Sequence, residues 1–184
     1  GLFNPAEYLQ RLKKIIPETY TIAEKILQPG EMLPSNFALE GNTGYDFLYY
    51  TNNLFCQKKN KTKFLQIYHS FTGQEKDVSR LLLKKKKLIL KQQMYGDLKN
   101  LTQLFFENYK KNYSKESASL DRKKLLKALQ EIMIRIPVYR TYLTPSNQKR
   151  KELKLILKIM AQTKKIFPEL FKELDHLSSQ IIYP

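Results

Sequence analysis

The sequence predicts a mainly α-helical fold with two short extended segments. Apolar residues recur every three or four positions along most of the 184-residue chain, which is the spacing of an amphipathic helix. Proline and glycine separate these periodic segments from one another. Apolar residues make up 42% of the chain, enough for a hydrophobic core, but no apolar run approaches the roughly 20 residues that span a membrane.

The first helix is predicted to begin after Asn4. The Asn4 side chain can cap a helix, Pro5 suits the first helical position, and Glu7 can return a bond to the cap. Apolar residues then follow at helical spacing. Residues 20–24 alternate and are β-branched in part, so they predict a short strand with Glu24 at its C-terminal end.

A long irregular loop is predicted from residue 31 to residue 47, because this segment is rich in proline and glycine. Residues 41–47 are expected to be irregular throughout. Further helices are predicted at about residues 45–55, 62–71 and 75–109. Gly96 weakens the last of these helices near its middle.

The remaining segments are predicted to be helices joined by irregular connections. Proline and threonine mark two of the helix starts, since Thr144 can cap a helix that has Pro145 at its first position. The predicted order is a polar loop at 112–119, a helix at 121–134, an extended segment at 138–143, a helix at 144–165 and a last helix at 168–177.

The chain is strongly basic, with a formal charge of +16, so nucleic acid or an acidic protein is a partner to consider. Four consecutive lysines, Lys84 to Lys87, would point to different sides of a helix and would not line one face of it. This pattern favours side chains that are simply solvated over a surface that binds a row of nucleic-acid phosphates. No helix-turn-helix, zinc-finger or phosphate-loop pattern accompanies the charge.

Metal and disulfide chemistry have little support in the sequence. His69 and His176 have no second histidine or cysteine at ligand spacing, so both are interpreted as ordinary helix residues. The single cysteine, Cys56, excludes an internal disulfide. No secretory leader opens the chain, and a cytoplasmic location is therefore expected.

Glu24 is the one carboxylate whose position indicates chemistry. It ends a mostly apolar strand, where partial desolvation would suit a proton donor. The alternative is a structural Glu24 paired with Lys25 or a nearby arginine at a strand edge, and the residues alone favour this alternative.

Four segments stand in the order and rough spacing of one known family. They are 23–27 (AEKIL), 29–34 (PGEMLP), 41–48 (GNTGYDFL) and 137–142 (PVYRTY). From Gly1 to about Leu143 the chain resembles a central fragment of maltooligosyl trehalose synthase, a member of the α-amylase-type glycoside hydrolases. The last forty residues resemble that family only in their general character and contain none of these four segments.

The resemblance implies a fold, an activity and a role for Glu24. Residues 1–47 would be a helix, strand and active-site loop of a (β/α)8 barrel, and residues 48–184 a helical insertion that forms a lid. Glu24 would be the general acid/base at the end of the fifth barrel strand. The family's nucleophilic aspartate and third carboxylate lie outside this chain, so the chain alone is expected to be inactive.

The resemblance also implies a substrate and the residues that bind it. The family converts the reducing-end α-1,4 bond of a maltooligosaccharide into an α,α-1,1 bond. Candidates for holding the sugar, by ring stacking and hydrogen bonds, are Tyr45, Asp46, Tyr139, Arg140 and Tyr142, with core and turn structure as an equal alternative.

Partners and rival functions follow from the same comparison. The expected partners are the maltooligosaccharide and the rest of the parent barrel, with no metal, nucleotide or redox cofactor, no membrane and no nucleic acid. Two other functions stay open from the residues alone. They are a basic helical module that binds nucleic acid or an acidic partner, and a carbohydrate-binding piece without catalysis.

Overall fold

The computed structural model describes residues 2–74, 77–112, 120–143 and 150–182, which form mostly helices. In chain order the elements are α1 (Pro5–Ile15), β1 (Ile22–Ala23), β2 (Gly41–Asn42), α2 (Tyr45–Asn53), α3 (Lys61–Thr72), α4 (Val78–Gln92), α5 (Tyr95–Asn112), α6 (Arg122–Arg135), α7 (Arg150–Ile166) and α8 (Phe171–Ile182). Single turns of 3₁₀ helix at Lys58–Asn60 and Pro168–Leu170 precede α3 and α8. The prediction of a mainly α fold is confirmed.

The chain divides into two compact units, Gly1–Ser70 and Phe71–Pro184. The predicted assignment of residues 1–47 to a barrel and residues 48–184 to an insertion concerns their place in a larger fold, and it stays a prediction. None of the described helices combines the length and the hydropathy that a membrane crossing requires.

Helix α1 begins as its capping residues predict. The Asn4 side chain accepts a hydrogen bond from the Glu7 backbone N–H at 3.3 Å, and Asn4 Nδ2 donates to Glu7 Oε2 at 3.1 Å. The first of these bonds satisfies one backbone donor that the first turn of a helix otherwise leaves open, and the second bond holds the two side chains together. Pro5 occupies the first helical position.

Two very short strands follow α1, and they correct two predictions. Ile22 lies opposite Gly41 and Ala23 opposite Asn42 in a parallel pair, so the strand predicted over residues 20–24 covers only two residues. Residues 41–47, which were expected to be irregular, contain β2 and the start of α2. Glycine and asparagine have low strand propensity, so only the pairing with β1 makes this segment a strand.

The long helix predicted over residues 75–109 is interrupted. The N–H groups of Gln93 and Met94 both donate to the Ile89 carbonyl, at 2.8 and 3.3 Å, which closes α4. Helix α5 begins at Tyr95, so the break precedes Gly96 rather than falling on it. Both α4 and α5 contact α6, because the break gives each helix its own direction.

Helix α6 is the centre of the second unit. Asp121 caps it, and its side chain accepts from the N–H groups of Lys123 and Lys124 at 2.7 and 3.1 Å. The buried apolar core around α6 draws on α4, α5, α7 and α8. Its members are Leu90, Leu98, Leu125, Ala128, Leu129, Ile132, Ile134, Ile156, Ile159, Met160, Leu170, Leu174 and Leu177.

The first unit has a much smaller interior. Among residues 2–70 Leu9 alone is buried, whereas aromatic side chains of α2 and α3 such as Phe47, Tyr50 and Phe64 are exposed. The aromatic residues of α2 and α3 therefore form no buried core within the described part of this unit. By their spacing Phe64 and Tyr68 share one side of α3, and both are exposed.

Several predictions concern the connections of the second unit. Residues 138–143 form no strand in the described structure. The polar loop predicted at 112–119 begins at Asn112, which is the last residue of α5, and its other residues lie outside the described ones. The predicted cap at Thr144 and Pro145 lies outside them too. The predicted helices at residues 121–134 and 168–177 are confirmed as α6 and as the 3₁₀ turn with α8, and the helix predicted at 144–165 is confirmed as α7 from Arg150 onward.

Candidate functional site

The parallel strands place Glu24 and the start of α2 at one edge of the sheet. Glu24 directly follows β1, and α2 begins at Tyr45, three residues after β2 ends. The Thr43 N–H donates to the Ala23 carbonyl at 2.9 Å, so the pairing continues to the end of both strands. The carboxyl ends of parallel strands are where enzymes of α/β architecture commonly carry their catalytic groups.

Glu24 is exposed in this chain. Its strand neighbours on the same face, Ile22 and Ile26, are also exposed, since side chains two residues apart point to the same side of a strand. The partial desolvation expected for Glu24 is therefore not observed. The physical reason is that the described part of the first unit buries only Leu9 and has no core that covers this face.

Lys25 forms an ion pair with a carboxylate that the sequence analysis did not consider. The Lys25 Nζ lies 2.6 Å from Oε1 of Glu31, and these side chains are only 14% and 12% exposed. The alternative to a catalytic Glu24 was a structural Glu24 that pairs with Lys25. Lys25 instead pairs with Glu31, and this pair binds Lys25 to the loop that follows β1.

A pocket of about 320 Å³ opens beside this loop, within the first unit. One wall is the loop from Ile26 to Glu31, which begins two residues after Glu24. The other wall is α2, along nearly its whole length. The residues that α2 contributes are Tyr45, Asp46, Leu48, Tyr49, Tyr50 and Asn52. Two predicted sugar-binding residues, Tyr45 and Asp46, therefore lie together at one pocket.

Polar atoms near this pocket have unused hydrogen-bonding capacity. The Oδ1 of Asp46 is buried and has no hydrogen-bond partner among the described residues, and the same is true of the Thr43 hydroxyl. Buried polar atoms are normally paired, so these two atoms leave hydrogen-bonding capacity unused within the described part of the first unit. The pocket also carries partly exposed tyrosine rings, including an edge-to-face pair of Tyr49 and Tyr50 with centroids 5.6 Å apart.

The other three predicted sugar-binding residues follow α6 in the second unit. Tyr139 is 93% exposed, and the Arg140 guanidinium lies 5.3 Å from the centre of the Tyr142 ring. The Tyr142 N–H donates to Glu152 Oε2 at 2.7 Å, which ties this loop to α7. The structure thus brings Arg140 and Tyr142 into contact and presents Tyr139 to solvent.

The lysine run on α4 is partly engaged inside the second unit. Lys86 donates to the Ile136 carbonyl at 2.8 Å, and Lys87 lies 2.9 Å from Oε1 of Glu131. Two of the four consecutive lysines are therefore bound to α6 or its C-terminal end. This arrangement agrees with the expectation that the run is not a phosphate track.

Glu131 is buried and is held in its charged form. Burial works against the carboxylate, but hydrogen bonds from Lys87 and Arg135 outweigh it and hold the pKa of Glu131 below its usual value of 4.5. His176 is also buried, and this burial lowers its pKa below 6.5. Its ring packs edge-on against Tyr109 at 4.9 Å. The described residues hold no group of three or more side chains suited to binding a metal.

Sequence reasoning missed Glu31 as a partner of Lys25 and as a pocket residue. The available signal was the Pro29-Gly30 turn between the two charges, because a turn there returns the chain toward Lys25. Gly30 has a φ of +80°, a conformation that glycine adopts without strain.

Comparison with known proteins gives matches among solved structures. Neither the family models nor the curated proteins give a match. A glycosyltrehalose synthase structure is 25% identical, has a TM-score of 0.66 and matches over 96% of this chain. The maltooligosyltrehalose synthase of Arthrobacter ramosus is 22% identical with a TM-score of 0.70 over 94% of this chain, and a single-site mutant of it is 21% identical with the same score.

The chain spans 20–22% of the length of these structures. The matches cover both compact units, including the last forty residues, where the motif resemblance is weak. The resemblance of the sequence motifs to maltooligosyl trehalose synthase is therefore confirmed, and the chain has the fold of a segment of the glycosyltrehalose and maltooligosyltrehalose synthases.

Proposed function

We propose that this chain is a segment of an intramolecular transglycosylase, a (1→4)-α-D-glucan 1-α-D-glucosylmutase of trehalose biosynthesis. The observation that carries the proposal is the structural match over 94–96% of the chain to synthases of this kind. The position of Glu24 at the carboxyl end of a parallel strand supports it, because barrel enzymes carry catalytic groups there. The lone exposed Cys56 agrees with a reducing compartment, and we propose the cytoplasm.

In this proposal Glu24 is the general acid of the first step. A nucleophilic carboxylate from the rest of the enzyme attacks the anomeric carbon of the penultimate glucose and forms a glycosyl ester. The bond from that carbon to the glycosidic oxygen breaks, and Glu24 donates its proton to the leaving oxygen. The exposed position of Glu24 in this chain leaves its carboxyl free to meet that oxygen.

In the second step Glu24 acts as the general base. The released glucose stays bound, turns over and attacks the glycosyl ester with its own anomeric hydroxyl oxygen. The ester bond breaks, its electron pair returns to the nucleophilic carboxylate, and Glu24 takes up the hydroxyl proton. Water competes as the attacking group, so an isomerase needs a pocket that excludes it.

The sugar-binding residues we propose have the chemistry that this reaction needs. Tyr45 offers a ring for stacking, and the unpaired Oδ1 of Asp46 can accept a hydrogen bond from a sugar hydroxyl. Tyr139, Arg140 and Tyr142 offer two further rings and a guanidinium on one loop. The maltooligosaccharide and the rest of the catalytic barrel are the partners in this proposal.

Replacement of Glu24 by Gln in the full-length enzyme tests the proposal. Gln keeps the shape but has no transferable proton, so kcat should fall by about 10² to 10⁴ while the melting temperature stays the same. Glu18→Gln, at another exposed glutamate of the same unit, is the matched control and should leave kcat unchanged. Normal turnover in Glu24→Gln would remove Glu24 from the mechanism.

A further inference from the structure

The ion pair of Lys25 and Glu31 begins one residue after the proposed general acid/base. Lys25 follows Glu24 in the chain, its Nζ is 2.6 Å from Glu31 Oε1, and both side chains are largely buried. A largely buried charge pair is costly to break, because removal of one member leaves the other without compensation. The pair therefore restrains the two segments that it joins.

Glu31 also fixes the loop between the two charges. Its Oε2 accepts a hydrogen bond from the Gln28 N–H at 3.0 Å, and its own N–H donates to the Gln28 carbonyl at 2.8 Å. Gly30, with its φ of +80°, makes the turn possible. Residues 25–31 thus form a closed ring, and this ring includes the whole loop wall of the pocket.

The backbone on both sides of Glu24 is held by β2. The Ala23 carbonyl accepts from the Thr43 N–H at 2.9 Å, and the Lys25 carbonyl accepts from Asn42 Nδ2 at 3.1 Å. The loop wall is therefore bound, through the ion pair, to a backbone that is itself fixed. The pair thus adds a side-chain link between the wall and the backbone at Glu24 to the links made by the covalent chain and the local turn.

We propose that Lys25 and Glu31 are positioning residues that determine how the glycosyl-enzyme divides between transfer to the retained glucose and hydrolysis. The inference rests on the proposed function. A fixed loop wall keeps the released glucose oriented near Glu24 and leaves no room for water to attack first. A loosened wall admits water, so free glucose and the shortened oligosaccharide form in place of the trehalose-ended product.

The test is the ratio of transfer to hydrolysis, measured with maltopentaose in the full-length enzyme. Glu31→Gln keeps the shape of the side chain and removes its charge, and Lys25→Met removes the other charge while keeping most of the stem. Each should raise the hydrolysed fraction about tenfold and lower kcat more than it raises KM. The exchanged pair, Lys25→Glu with Glu31→Lys, should return the ratio toward that of the unmodified enzyme.

The product ratio separates positioning from simple loss of folding. Both products come from the same folded molecules, so a smaller folded fraction lowers both without changing their ratio. Lys13→Met is the matched control, because Lys13 and Glu40 form a pair of the same 2.6 Å length in the same unit, about one-third exposed and away from the pocket. The ratio of transfer to hydrolysis in Lys13→Met should stay unchanged.

Failure of this inference is distinguishable from failure of the proposed function. If Glu24→Gln lowers kcat but Glu31→Gln keeps the normal product ratio, the positioning role is wrong and the proposed function stands. A changed product ratio in Lys13→Met as well would also overturn the inference, since the loss of any ion pair in this unit would then change the ratio. If Glu24→Gln has normal turnover, the proposed function fails and the positioning role fails with it.

Discussion

Lys87 reaches from α4 to place its ammonium 2.9 Å from a carboxylate oxygen of Glu131, whose side chain is only 3% exposed in α6. Arg135, one turn later on α6, pairs with the other oxygen of the same carboxylate. Two cations therefore meet one buried anion at the centre of the second unit. Part of the basic excess of the sequence is used to hold helices together.

Replacement of Glu131 by Gln should destabilise the second unit. The substitution leaves Arg135, which is 15% exposed, without its charged partner and should cost about 1–3 kcal/mol in the free energy of unfolding. Urea denaturation of the chain followed by circular dichroism measures this loss. Glu169→Gln is the matched control, because its pair with Lys127 is about half exposed and solvent screening should leave it a much smaller contribution to stability. Equal losses in both variants would contradict the prediction.

The same carboxylate should make stability depend on pH. The pKa of Glu131 is lowered in the folded chain relative to its usual value of 4.5, so the unfolded chain binds a proton first as pH falls. The stabilisation is therefore complete above about pH 4.5 and is lost as the pH falls through the folded-state pKa. Urea midpoints between pH 7 and pH 3 should fall less steeply for Glu131→Gln than for the unmodified chain. Parallel curves would show that another group causes the acid sensitivity.

Replacement of Gly30 by Ala should destabilise the loop wall of the pocket through the backbone alone. An added methyl group meets no atom within 4 Å, but a φ of +80° is unfavourable for alanine by about 1–2 kcal/mol. Gly41→Ala is the control, since its site is equally open and its φ is not positive. Thermal melting of the two variants compares them. A Gly30→Ala chain as stable as the Gly41→Ala chain would refute the role of the turn.

Local signals predicted the helices well and the strands poorly. The Asn4 cap and the Asp121 helix start depend on residues within one turn, so the sequence contains the full information. The break at Gln93 and the strand at Gly41–Asn42 depend on contacts with distant elements. Gly96 marked a weak point but not the break itself, because packing on α6 decides where the helices separate.

In the candidate site too, local signals were predicted from the sequence and contacts between more distant residues were not. Glu24 and Asp46 were found through motifs that lie on contiguous residues, and the structure places Asp46 at the pocket. The pair of Lys25 and Glu31 was missed because the chain must turn back between residues 25 and 31 before the two charges meet. The exposure of Glu24 could not be predicted either, since it depends on which distant residues pack over the face of β1.

The unequal interiors of the two units have a consequence for amide hydrogen exchange. Nearly all fully buried side chains belong to residues 71–184, so the backbone amides of α6 should exchange only when that whole unit unfolds. The amides around Glu24 and Gly30 lie in a unit whose described residues bury only Leu9, and local opening should release them much faster. The ion pair of Lys25 and Glu31 is then the contact that limits local opening of the chain next to Glu24.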